Sequence, residues 1–301
     1  MPGRLGTMVI CILFLVTVVW QISRTLTEPY HTPPRMLDSL RAAAEDGETD
    51  WIIRFNGQVL GHSTHSVRED KRVGFIVKQT MTLDGELEQF LNLKQLSKWL
   101  KIPIPPRLAF TMSMDMDVSQ FGSLNRVTFN ASIHLDKIQQ DNFIRLFVQG
   151  RTVENELAFS GHVSVDQVKW PIPSQLRVKN DSKAPFMSSL APADCLPRLL
   201  PGQQWESPMI DIQQLMMAPA QSLTEGTSMN VMDRKATKVK VREEVQMLTW
   251  NREAVPCLLV ESKQRGLIVS LWVRQTDGRV LKQVAKWGDA TIELERQKPT
   301  P

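Results

Sequence analysis

The chain has 301 residues, 42% of them apolar and 23% charged, a composition that supports a packed core and excludes disorder as the main state. Lysine and arginine total 36 against 32 for aspartate and glutamate, and no window gathers that surplus into a basic stripe, so nucleic acid is not an expected partner. The three cysteines, Cys11, Cys195 and Cys257, stand in no C-x-x-C spacing. That argues against a zinc site or a disulfide scaffold, and leaves open whether Cys195 and Cys257 pair or stay as buried thiols.

In chain order, the first feature is an uncharged run, Leu5 to Ser23, between Arg4 and Arg24. As a helix its length is about 28 Å, close to the hydrocarbon thickness of a bilayer. No small-x-small cleavage site follows it, because Trp20-Gln21-Ile22-Ser23-Arg24 is bulky and then charged, so residues 1–24 read as an uncleaved transmembrane anchor rather than a signal peptide. Cys11 follows Ile10, where a lipobox needs a small residue. Residues 25–50, with Pro29, Pro33 and Pro34 ahead of Arg41-Ala42-Ala43-Ala44-Glu45-Asp46-Gly47, read as a tether holding one or two helical turns.

From Trp51 the hydrophobic period becomes two. Leu108, Phe110, Met112, Met114, Met116 and Val118 alternate with Thr111, Ser113, Asp115, Asp117 and Ser119, and the alternation returns in Val127, Phe129, Ala131, Ile133 and Leu135. Strict alternation of this kind marks strands with one buried face. A hairpin is expected at Ser119–Leu124, further strands through Ile144–Val148 and Val153–Val165, and a bulge or bend at Gly150 and Gly161. Asn56-Gly57, Asp84-Gly85 and Asp277-Gly278 mark three further hairpin corners. Glu86–Lys101 carries a broad apolar helical face and is expected as a helix covering the sheet, stopped by Pro103, Pro105 and Pro106. Seven prolines from Pro171 to Pro208 exclude long regular elements, yet Phe186, Leu190, Leu196, Leu199, Leu200 and Trp205 are too apolar for a free linker, so a packed crossover is expected. Strands then resume at Val239–Val241, Pro256–Glu261, Leu267–Arg274, Arg279–Trp287 and Thr291–Leu294.

The fold class is therefore mainly β: a curved antiparallel sheet with one covering helix and a Pro-rich crossover, plus one N-terminal transmembrane helix. The β domain spans residues 51–297, as a first lobe 51–170, a crossover 171–208 and a closing lobe 209–297.

Groupings for catalysis are missing. A cysteine nucleophile needs a base, but all five histidines precede Cys195, the reverse of the transglutaminase-like order, and no G-x-S-x-G elbow occurs. His62 and His65, and His134 with His162, read as solvated surface residues rather than metal ligands. Asp115 and Asp117 read as a solvated strand face rather than a glycosidase pair. No catalytic residue, metal ligand or cofactor is expected. The methionines are more informative: fourteen occur, and Met112, Met114 and Met116 share an apolar strand face with Leu108, Phe110 and Val118. Flexible thioethers suit either a loosely filled core or a groove for a greasy ligand.

The closing run Leu271-Trp272-Val273-Arg274-Gln275-Thr276-Asp277-Gly278-Arg279-Val280-Leu281-Lys282-Gln283 resembles the last hairpin of bacterial envelope domains related to the lipoprotein carriers LolA and LolB. Trp51 to Ser63 is similar to their first hairpin, and Leu196-Pro197-Arg198-Leu199-Leu200-Pro201-Gly202-Gln203-Gln204-Trp205 to a Pro-Gly-x-x-Trp crossover of uncharacterised relatives. The resemblance covers residues 51 to 296. It implies a half-barrel covered on its concave side and displayed outside the cytoplasm. The short N-terminal tail and this resemblance together place the large domain in a periplasm-like compartment, on a single membrane span. The expected function is non-catalytic binding of an apolar ligand, lipid or lipidated partner by Leu108, Phe110, Met112, Met114, Met116 and Val118. The alternative is an envelope protein–protein interaction module with a self-filled core.

Overall fold

The computed structural model describes residues 30–86, 107–135, 144–154, 156–165, 168–171, 177–179, 193–207, 237–264 and 266–298. It opens with helix α1 (Met36–Asp46). The first half of the sheet is β1 (Glu48–Phe55), β2 (Gln58–Asp70), β3 (Gly74–Glu86), β4 (Arg107–Val118), β5 (Leu124–Leu135), β6 (Ile144–Val153), β7 (Glu156–Val165), β8 (Val168–Pro171) and β9 (Arg177–Lys179). The second half is β10 (Gln204–Ser207), β11 (Thr237–Trp250), β12 (Glu253–Gln264), β13 (Leu267–Arg274), β14 (Val280–Trp287) and β15 (Ala290–Arg296).

All these strands belong to one open antiparallel sheet that runs β10 to β15 and then β1 to β8, with β9 also on β7. The seam is β15 against β1, from Trp51 opposite Arg296 to Phe55 opposite Ile292. Both expected lobes thus share one sheet, with the last strand of the chain beside the first. The alternation read from the sequence sets which side chains face inward. In β1 it buries Thr49, Trp51, Ile53 and Phe55, and one buried apolar cluster draws side chains from both halves of the sheet. The curved strand ladder is the mainly β architecture expected.

The tether expectation is corrected for residues 36–46. Met36, Ser39, Leu40 and Ala43 recur at helical spacing and are buried against the sheet, while Gly47 ends the helix at φ 73°. Burying a side chain such as Leu40 contributes about 1.5–3 kcal/mol, so this segment is part of the folded domain, which begins ahead of Trp51. The expected helix at Glu86–Lys101 lies outside the described residues except Glu86, which ends β3. The expected anchor, residues 1–24, lies outside them as well. Among the described residues no helix is long and apolar enough to cross a membrane.

Turn chemistry is met at two of four corners. Asn56 and Gly57 both have positive φ between β1 and β2, as a two-residue hairpin requires, and Gly122 has positive φ in the Ser119–Leu124 hairpin. Asp84-Gly85 is not a corner: both residues run through β3, opposite Ala109 and Leu108 of β4, because a long ladder outweighs a local turn preference. Asp277-Gly278 is a corner of another type, since only Gly278 has positive φ and its N–H donates to the Arg274 carbonyl at 2.9 Å. Nor do Gly150 and Gly161 bulge. The β6–β7 register runs through both, and a Cβ on Gly161 would strike the Phe147 carbonyl.

Gly278 is irreplaceable on two counts. Its φ is 75°, and a Cβ there would lie 2.6 Å from Pro197 Cα and 2.7 Å from the Leu196 carbonyl oxygen. Gly278→Val is expected to lower stability by about 1–3 kcal/mol, read as a fall in the urea midpoint. An unchanged midpoint would show that the crossover does not rest on this turn.

Candidate functional site

Strand register carries one inward face across the sheet. One row runs Arg296, Trp51, Ser63, Met81, Met112, Ala131 and Leu146, and the next runs Thr49, His65, Gln79, Met114, Phe129 and Val148. The methionine strand β4 therefore faces inward, with Asp115 and Asp117 outward, where Asp117 pairs with Arg126 at 2.9 Å. Phe110, Met112 and Val118 are buried, the last two at 2% and 0% exposure. Met114 and Met116 are half-buried and pack on the core, as do Leu83, Val163 and the Phe129 opposite Met114. Leu108 stands in the β4 backbone opposite Leu135, and its side chain lies outside the described residues.

The inward face also holds polar residues that alternation had hidden. His65 is buried and forms an ion pair through Nδ1 with the Asp194 carboxylate, a correction to the surface reading. His62 is exposed, because residues three apart on a strand point to opposite faces, so the two cannot chelate one ion. The Thr49 hydroxyl lies 3.0 Å from Asp194 Oδ1 and accepts from Trp51 Nε1 at 3.4 Å. Arg296 donates to the Asp194 carbonyl at 3.1 Å and to Asp46 at 2.7 Å, and Arg279 Nε donates to Asp46 at 2.9 Å. The network ties the end of α1 to the β1–β2 hairpin, the crossover at 193–196, Arg279 just ahead of β14, and strand β15. Burial pushes the Asp194 carboxyl up, but the charges of His65 and Arg296 and the bonds from His65 and Thr49 outweigh it and hold the group below the ordinary carboxylate range.

Cys195 and Cys257 are both free and buried, so they do not pair. Burial, with Asp46 and Asp277 nearby, pushes the Cys195 thiol up to about 12, and it donates to the Asp277 carbonyl at 3.6 Å. Burial likewise raises Cys257 to about 11. Each is a neutral thiol at neutral pH. His162 lies half-buried on the outward face, its ring 5.6 Å from that of Phe147, and the His134 side chain lies outside the described residues. Among the described residues no group of three or more His, Cys, Asp or Glu side chains is placed to hold a metal ion.

Gln79 stands between His65 and Met114 in the inward row and is 1% exposed. Its Nε2 donates to Ser63 Oγ at 3.4 Å, and Ser63 spends its single proton on the Thr80 carbonyl at 2.9 Å. Ser63 must therefore accept from Gln79, which fixes the orientation of the amide. Gln79 Oε1 then has no partner. Gln79, Asp194, Arg296 and Asp46 were not among the sequence candidates. For Thr49, His65, Gln79, Gln283 and Arg296 a signal existed, namely a polar residue on the apolar parity of its strand.

No protein-family model matches the chain, and no curated protein matches it. Among solved structures, the chain is similar to a β-barrel-like protein of a domain of unknown function, DUF1849, from Brucella abortus, at TM-score 0.40 and 9% identity over 84% of this chain and 94% of that one.

Proposed function

We propose that the chain is a membrane-anchored, extracytoplasmic and non-catalytic domain that binds an apolar ligand, lipid or lipidated partner in the concavity of a LolA/LolB-like half-barrel. The observation that carries this reading is a difference in packing along one inward face. On β4 Met112 and Val118 are shielded at 2% and 0% exposure, whereas Met114, Met116 and the Phe129 opposite Met114 are only partly covered. A contiguous set of incompletely covered apolar side chains on a concave surface is the usual setting of a ligand site, and the thioethers of Met114 and Met116 adapt to irregular acyl shapes. The uncharged run Leu5–Ser23 supports the anchor, and the resemblance of the two hairpins supports the compartment.

The second reading, an interaction module with a self-filled core, draws on the burial of Phe110, Met112 and Val118. A diazirine-bearing fatty acid, photolysed with the full chain in nanodiscs, separates the two. Adducts in peptides covering 107–118 and 124–135 are the expected result. Adducts confined to the N-terminal run, or none, would favour the self-filled core.

A further inference from the structure

We infer that the ligand of the concave face is an apolar chain bearing a hydrogen-bond donor, a hydroxyl or an amide N–H, and that Gln79 Oε1 receives that donor. The inference rests on the reading of the concavity as a ligand site and names the chemistry of the occupant. Four observations meet at one residue. Gln79 is almost fully buried, so bulk water does not solvate its amide. The Ser63 network sends Nε2 toward β2 and leaves Oε1 without a partner. Register sets Gln79 directly opposite Met114, one of the partly covered side chains of the proposed site. Its neighbours on the same face of β3, Val77 and Met81, are buried and apolar.

A buried acceptor left unpaired costs about as much as a lost hydrogen bond, and an apolar ligand that brings its own donor removes that cost on binding. A plain hydrocarbon chain leaves it in place. A hydroxyl that finds no acceptor also loses its water, so an unassisted site would favour the chain without the donor. Preference for the donor is therefore diagnostic of Gln79 Oε1 acting on the ligand.

The test uses the full chain in nanodiscs, with empty discs as blank, and two probes that displace an apolar fluorophore: 1-dodecanol and dodecyl methyl ether, which differ in having the donor hydrogen replaced by methyl. The wild type is expected to bind the alcohol about tenfold more tightly, the factor that one satisfied buried hydrogen bond supplies, and Gln79→Leu to lose that preference or reverse it in favour of the ether. Should Gln79→Leu fail to fold, Gln79→Met removes the amide while keeping the length of the side chain. Equal binding of both probes by the wild type, or a preference that survives the loss of the amide, overturns the inference while the ligand site stands. Failure of both probes to displace the fluorophore from the wild type overturns the ligand site itself, and this inference with it.

Discussion

Asp194→Ala is expected to lower stability by about 3–5 kcal/mol, because it takes the carboxylate out of a buried charged network and leaves the buried His65 Nδ1 and Thr49 hydroxyl without the acceptor they meet. Asp194 is 6% exposed and Arg296 5%. The substitution strips His65 Nδ1 of its carboxylate and the Thr49 hydroxyl of its 3.0 Å contact, while the bond from Arg296 to the Asp194 backbone carbonyl is kept. The loss is therefore specific to the side chain. Urea unfolding measures it, and a change under about 1 kcal/mol would place the pair in the weak, solvated class. The same carboxyl sets a pH dependence. Its folded pKa lies below the ordinary value of 3.8, so its contribution is complete above that value and is lost as pH falls through the lower folded one. Wild type should lose this share of its stability below about pH 4, and Asp194→Asn should lack that share of the acid loss.

Met114→Asn is expected to weaken binding of an apolar fluorophore about tenfold or more, since an amide in an apolar wall disfavours a greasy ligand by one to a few kcal/mol. Met114 is only partly covered, so the amide keeps access to water and the urea midpoint should fall little. Were Met114 instead sealed in a filled core, the same change would bury an amide without a partner and open a gap in the packing, and would cost stability outright. The two outcomes are opposite in kind. A large fall in midpoint refutes the groove, and unaltered stability with unaltered dye affinity refutes both accounts. Met112, one turn of the pleat away and 2% exposed, serves as the internal comparison: Met112→Asn should destabilise whichever account holds.

Much of the fold was legible because period-two alternation is a local property. β4 and β5 were read nearly whole from Leu108–Val118 and Val127–Leu135, β13 was read to the residue as Leu267–Arg274, and Asn56-Gly57 announced its hairpin because its positive φ values belong to the residues themselves. The inward placement of Met112, Met114 and Met116 was legible for the same reason. Helix α1 was not, because a segment of eleven residues is marginal as an isolated helix and its apolar stripe gains stability only where a sheet covers it. Asp84-Gly85 failed as a corner because β3 pairs with β4 straight through it.

Which polar residues of the interior meet was decided by tertiary structure alone. His65 and Asp194 lie 129 positions apart, and Asp46 meets Arg279 and Arg296 only because β15 pairs with β1 at the seam. No spacing rule joins such residues, since each local window shows one isolated charge whose ordinary place is the surface. Local sequence could say which side chains share a face. Which of those faces is sealed, which is left partly open, and which buried amide keeps an unanswered acceptor depend on how the sheet curves over itself, because burial is a property of what arrives from elsewhere in the chain.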